Sequence, residues 1–256
     1  MGIGFREPGE FCWINMLTPR PTEAMGFFAE VLGWTYFEMP GYGHGMRAGG
    51  RDIGGLFDLE GPDTPPGLPP FIGVMVKVEN ADAACEKVRS LGGAVKQSMD
   101  IGGQGRMAVC HDPNGAEFDV WEPGAMQGSD ADPFVHGAPS WTESMTTDVA
   151  RARAFYADLF GWTPEVRPMG EFDSTVFKIG GKDVAGMMPI PHGKEYIPPH
   201  WGTYFTVDDA DAAARRAAEL GGSLFVPPMD IPGIGRFCGI ESPQGVKFFA
   251  ITYLKR

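Results

Sequence analysis

Apolar residues crowd the stretch from Phe11 to Leu17, which reads as a strand, and then their spacing changes. From Pro21 to Leu32 they recur with helical period, placing Met25, Phe28, Val31 and Leu32 on one face ahead of a Gly33 stop. Three short strands are expected next, at Trp34–Met39, His44–Ala48 and Asp52–Leu59. Gly61-Pro62-Asp63-Thr64-Pro65-Pro66-Gly67 reads as a linker on composition. The same order then returns. Phe71–Val78 is a strand, Asn80 caps a helix carrying Ala84, Val88 and Leu91, and Gly92-Gly93 ends it. Strands follow at Ala94–Met99, Arg106–Cys110 and Ala116–Trp121, with Asp112-Pro113-Asn114-Gly115 as the turn between the last two.

The second half repeats the first. Phe27-Phe28-Ala29-Glu30-Val31-Leu32-Gly33-Trp34 returns as Phe155-Tyr156-Ala157-Asp158-Leu159-Phe160-Gly161-Trp162, 128 positions later. Ala81-Asp82-Ala83-Ala84 returns as Ala210-Asp211-Ala212-Ala213, and Pro113-Asn114-Gly115 as Pro243-Gln244-Gly245. A strand at Trp141–Thr146 leads into a helix capped by Asp148 with Phe155, Leu159 and Phe160 inward. The last unit starts near His200 and has its helix from Asp209 to Leu220. A repeat of this length means two copies of one fold. The expected architecture is α+β, four βαβββ units in two tandem domains. Domain one covers residues 8–123 as units 8–60 and 68–123; residues 124–139 link it to domain two, residues 140–254, with units 140–190 and 198–254.

The chain has 256 residues, 43% of them hydrophobic, enough for two domains that each bury a core. A net charge of −12 argues against nucleic acid, which is held by clustered Lys and Arg, and leaves no basic face for anionic lipid. No apolar run is long enough to span a bilayer, and the first residues carry no apolar signal core. Cys12, Cys85, Cys110 and Cys238 form no CxxC pair and do not recur between the halves, and Cys85 and Cys238 read as small core fillers. A soluble cytoplasmic protein with reduced thiols is expected.

The repeated Phe-Tyr-Ala-Asp-Leu-Phe-Gly-Trp helix end, the Val207-Asp208-Asp209-Ala210-Asp211 helix start and the Asp-Pro-Asn-Gly turn before a final strand carry a family resemblance. Over nearly its whole length the chain resembles the vicinal oxygen chelate superfamily of glyoxalase I, bleomycin-resistance proteins, fosfomycin-resistance enzymes and extradiol dioxygenases. The resemblance implies open, cup-shaped mixed sheets, each around a cavity, and a metal held from the first and last strands by His, Gln or Glu. It specifies the fold more closely than the activity, because one fold hosts many chemistries.

The resemblance also implies where metal ligands should stand. The first lies fourteen residues before the helix Phe, which here gives Trp13 and Trp141. Others fall near Gly73 and Gly202, near Gly55–Phe57 and Gly186–Met188, and at Asp119 and Phe249. Only Asp119 is a plausible ligand, and a divalent cation needs several N or O donors converging. The five histidines, His44, His111, His136, His192 and His200, form no local metal pair, and His111 reads as solvated.

Strand alternation places Asn15 with Trp13, Glu143 with Trp141, Glu117 with Asp119 and Trp121, and Lys247 with Phe249 and Ile251. Two candidate linings follow: Glu143, Trp141 and Asp119 in one, Asn15, Trp13, Lys247 and Phe249 in the other. A carboxylate on an apolar face has a raised pKa and can act as a general base, which makes Glu143 the candidate catalytic residue. The bland alternative is a carboxylate bonded to backbone or a neighbouring Tyr. Gly102-Gly103-Gln104-Gly105-Arg106 and Pro232-Gly233-Ile234-Gly235-Arg236 lack the context of a phosphate loop and read as strand openings, with Arg106 and Arg236 as anion contacts in the sharper reading.

The leading expectation is a protein that binds a small aromatic or amphipathic molecule in an apolar cavity without a cofactor, with Trp13, Asn15, Asp119, Trp141, Lys247 and Phe249 as contacts. One alternative is a metal-dependent lyase or dioxygenase with a rearranged divalent-metal site at Asp119 and Glu143. Another is a metal-free enzyme using Glu143 as base. The fused repeat is expected to act as a monomeric pseudo-dimer or as a homodimer. Cavities are expected to be unequal, that of Glu143 being the better candidate.

Overall fold

The computed structural model describes residues 4–61, 64, 66–169 and 172–254. The first unit is β1 (Phe11–Thr18), α1 (Pro21–Leu32), β2 (Thr35–Met39), β3 (Gly43–Ala48) and β4 (Arg51–Asp58). The second is β5 (Phe71–Lys77), α2 (Ala81–Ser90), β6 (Ala94–Asp100), β7 (Gly105–His111) and β8 (Glu117–Pro123). The third is β9 (Pro139–Thr146), α3 (Val149–Phe160), β10 (Thr163–Met169), β11 (Phe172–Ile179) and β12 (Lys182–Pro189). The fourth is β13 (His200–Thr206), α4 (Ala210–Glu219), β14 (Ser223–Ile231), β15 (Gly235–Glu241) and β16 (Lys247–Tyr253). Part of the proline-rich 61–67 stretch lies outside the described residues.

Local chemistry sets the helix ends. Asn80, Asp148 and Asp209 each accept a hydrogen bond from the backbone N–H three residues on, closing the first turns of α2, α3 and α4. In α1 the side chain of Arg20 makes no cap, and Pro21 starts the helix instead. Gly33 and Gly161 end α1 and α3 in the left-handed conformation, at φ 66° and 70°, which a residue without Cβ adopts freely.

Each domain is one open eight-stranded mixed sheet, in the orders β2-β3-β4-β1-β5-β8-β7-β6 and β10-β11-β12-β9-β13-β16-β15-β14. The central strands of each sheet pair β1 with β4 and β5 with β8 in parallel, and β9 with β12 and β13 with β16 likewise. The helices cover one face of each sheet, and these faces pack against each other. One core joins α1 residues Phe28 and Leu32 to Phe205, Ala214 and Phe248 of the second domain. The other joins Val76, Val88 and Phe118 to Phe155, Tyr156 and Trp201. The first and fourth units thus share a core, and so do the second and third. The opposite, concave faces carry two small clusters, Cys12, Met75 and Trp121 in domain one and Tyr204, Phe249 and Ile251 in domain two.

Residues 124–139 are more than a link. Ala131 and Ala138 are buried in the shared core, the Trp34 indole donates to the Gly137 carbonyl at 2.7 Å, and the Trp121 indole donates to the Met126 carbonyl at 3.0 Å. All four cysteines are buried and unpaired with one another as disulfides. Among the described residues no helix is long and apolar enough to cross a membrane.

Candidate functional site

On the concave face of domain two, Glu143 sits mid-strand on β9. Its register neighbours are Gly186 on β12 and Gly202 on β13, so neither adjacent strand places a side chain beside it. One carboxylate oxygen, Oε2, accepts a hydrogen bond from Tyr204 at 3.0 Å. The other, Oε1, leans over Gly186 beside the Trp141 indole nitrogen. A Cβ on Gly186 would stand 2.7 Å from Oε1 and 2.9 Å from Trp141 Nε1. Neither atom has a hydrogen-bond partner among the described residues. The site thus presents one acceptor and one donor side by side.

The wall beside them is aromatic. The Tyr204 and Phe249 rings stack at 4.4 Å and 14°, and Phe225 meets Phe249 edge-on at 5.3 Å. Tyr204 and Phe249 are each 5% exposed, and the partly buried Trp141, Phe225 and Phe237 pack against them. Glu143 is 8% exposed, and burial pushes its carboxyl up to about 7 against the opposing Tyr204 hydrogen bond. Lys247 is at the rim, its side chain 61% exposed and its Nζ 3.9 Å from Glu241. His200 Nδ1 bonds the Pro198 carbonyl at 2.8 Å, and burial holds its pKa down.

The first domain places Asn15 where the second has Glu143. Asn15 lies between Gly55 and Gly73, and its Nδ2 donates to Asp119 Oδ2 at 3.3 Å. Trp13, Met75 and Asp119 form the next row across β1, β5 and β8. Burial first and the Glu117 charge second push the Asp119 carboxyl up to about 8.

Several expectations need correction. The two linings do not mix the halves: Asp119 joins Asn15 and Trp13 in the first sheet, while Glu143 and Trp141 join Phe249 in the second, with Lys247 at that sheet's rim. Asp119 and Glu143 therefore share no site. Arg106 is bonded to Asp82, and Arg236 to Asp211 and Asp230, tying strands to the first turns of α2 and α4 on the faces away from the concave surfaces. His111 is half-buried and lies 3.1 Å from Glu117. Tyr204, Phe225 and Phe237 escaped the sequence reading; the alternation that put Trp141 with Glu143 also puts Tyr204 on a single face with Gly202, but not beside Glu143.

An open, paired-βαβββ protein with polar groups on the concave faces is the class this architecture defines. The chain belongs to the Glyoxalase/Bleomycin resistance protein/Dioxygenase superfamily, whose family model matches residues 11–120 and 139–248. It is 33% identical over 247 residues to "Putative glyoxylase CFP32" of Mycobacterium tuberculosis (strain CDC 1551 / Oshkosh), covering 92% of each chain. It is 32% identical over 259 residues to "Anthracycline biosynthesis protein DnrV" of Streptomyces peucetius, covering 95% of this chain and 93% of that protein. The Mn(II)-bound glyoxalase from Novosphingobium aromaticivorans superposes with a TM-score of 0.68 at 16% identity, over 97% of this chain and 83% of that one, a likeness of fold.

That relative in fold holds a metal, so the donor set here matters. Asn15 and Asp119 are bonded on the first concave face, with Glu117 two residues along the same strand and paired with His111, and Glu143 stands with Tyr204 on the second. Trp13, Trp141, Phe249 and glycines fill the remaining positions. Among the described residues no three His, Cys, Asp or Glu side chains converge. These residues do not fit a divalent-metal centre, which needs at least three or four such donors.

Proposed function

We propose that the protein binds a flat aromatic small molecule on the concave face of the second domain, with Glu143 receiving the ligand's proton-donating group. One observation carries this reading: an unpaired acceptor, Glu143 Oε1, and an unpaired donor, Trp141 Nε1, lie together over Gly186 at the edge of a stacked aromatic wall. Apolar walls with a few convergent polar groups are the usual make-up of small-molecule sites. The name of the Streptomyces peucetius relative is in keeping with a small organic ligand.

The test is calorimetric titration of the full chain with 2-naphthol as probe. Trp141→Ala and Phe249→Ala are each expected to weaken binding by about 1–3 kcal/mol, the cost of removing a buried ring anchor. Unchanged affinity in both variants would sink the assignment.

A carboxyl pushed up to about 7 favours a second reading, in which Glu143 takes a proton from a bound carbonyl compound without a metal. Glu143→Gln then abolishes solvent-deuterium exchange into a bound ketone such as 2-tetralone while leaving its affinity within a few-fold. Exchange that persists in this variant rules the base out.

A further inference from the structure

The concave face of the first domain holds polar groups that this reading leaves unused. Asp119 is 6% exposed, and the 3.3 Å bond from Asn15 is its one hydrogen bond among the described residues. Its Oδ1, the Asn15 carboxamide oxygen and the Trp13 indole N–H have no hydrogen-bond partner among the described residues. The carboxyl is nearly buried, yet Oδ1 keeps a little solvent-accessible surface, so it can be reached by a ligand and not only by the protein. The cluster is also built rather than incidental. Asn15 stands between Gly55 and Gly73, and rings lie over both glycines: a Cβ on Gly55 would stand 2.5 Å from the Phe57 ring, and one on Gly73 would stand 3.3 Å from the Phe71 ring. Trp13, Phe57 and Phe71 are half-buried, so their rings border the polar pair with surface still open.

The charges around the pair narrow the ligand. Lys77, on the same face, has its Nζ committed to the Arg6 carbonyl at 2.8 Å, and Arg47 is committed to Asp52 at 2.6 Å. Among the described residues these two cations are therefore not in place to receive an anion. Burial and Glu117 keep the Asp119 carboxyl protonated at neutral pH, so it offers a donor and an acceptor together. The Asn15 carboxamide does the same. Two such groups side by side, with Trp13 in the next row, match a ligand edge that carries its own donor and acceptor on adjacent atoms; an edge with only one of them leaves a polar group unpaired.

We infer that the Asn15–Asp119 pair and Trp13 form a second small-molecule site, separate from that of Glu143, for a flat uncharged ring with adjacent N–H and C=O groups, a lactam or ring amide. In this site the ring lies against Phe57 and Phe71, its N–H meets a carboxyl or carboxamide oxygen, and its carbonyl accepts from Asp119 or Trp13.

Equilibrium titration of the full chain at pH 7 with 2-quinolone, N-methyl-2-quinolone and N-methylquinolinium tests this. 2-Quinolone is expected to bind about tenfold or more tightly than N-methyl-2-quinolone, which lacks the N–H and leaves its partner unpaired. Asn15→Leu lowers 2-quinolone affinity by a similar factor. Asp119→Asn, which keeps a donor and an acceptor and removes the ionisable group, holds it within about threefold. Trp141→Ala and Glu143→Gln leave it unchanged, which separates this site from the second-domain one. Equal binding of the two quinolones overturns the inference, as does preference for the quinolinium cation. So does absence of saturable 2-quinolone binding to the folded wild-type chain, or an affinity that falls with Trp141→Ala and not with Asn15→Leu.

Discussion

At the scale of single residues, Glu143 stands out because its site costs stability. Its carboxyl rises from an ordinary value of 4.5 to about 7 on folding, chiefly through burial. The folded state thus holds the proton more tightly than the unfolded chain. The contribution is neutral below about pH 4.5, becomes unfavourable as pH rises toward 7, and levels off above it. Over that window the loss is about 3 kcal/mol. Glu143→Gln removes the ionisation and keeps an acceptor for Tyr204. It is expected to exceed the wild type in stability by about this amount at pH 8 and to match it near pH 4.5, read from urea unfolding across pH. Asp119 shifts stability in the same direction over a window from 3.8 to about 8, but it is present in both proteins and cancels in the difference. Parallel pH profiles for the two chains would contradict the buried carboxyl. Glu143 and Trp141 were legible from strand alternation, because side chains two apart share a face. Tyr204 was not, since its position beside Glu143 depends on the register of β13 against β9, which no local pattern encodes.

The elements were nearly all visible. The strand–helix order of the four units, the Asn80 and Asp148 caps and the Gly33 stop follow from periodicity and cap chemistry, and they stand in the structure with boundaries moved by a residue or two. The 124–139 segment joins the two halves, and its packing against the core is what no local pattern shows. Its partners, Trp34 at Gly137 and Cys12 at Ser129, are about a hundred residues distant in sequence. Strand β12 shows how an element serves the site through a residue with no side chain. Gly186→Ala keeps an ordinary strand backbone, yet its methyl meets Glu143 Oε1 at 2.7 Å and Trp141 Nε1 at 2.9 Å. Both must move, so 2-naphthol affinity is expected to drop about tenfold or more, as when a 1 Å displacement spoils a positioned group. Far-ultraviolet circular dichroism should be unchanged, since β12 still pairs with β9 and β11. Wild-type affinity in this variant would show that the floor over Gly186 is not part of the site.

For the whole molecule, the duplication has opposite consequences for core and site. The candidate sites lie within each half, whereas the core forms between halves. Sequence symmetry reveals the two copies but not which faces they turn to one another, which is why Asp119 and Glu143 looked like members of one lining. The helical faces that a separate domain would leave exposed are buried against the other copy, so neither domain has a complete core alone. Phe28 tests this. It is fully buried in α1, stacked on Trp34 at 5.1 Å and 15°, and its other neighbour at 5.1 Å is Phe248 on β16 of the second domain. Phe28→Ala opens a cavity bounded by both domains and is expected to cost about 3–5 kcal/mol. If the domains were independent, calorimetry would show two transitions, and the variant would lower only the first-domain one. Because Phe205, Ala214 and Phe248 share that core with α1, a single transition is expected in the wild type, shifted as a whole to lower temperature in the variant, with calorimetric and van't Hoff enthalpies agreeing in both. A resolved second transition left in place by Phe28→Ala would mean that the second domain holds its fold without the first.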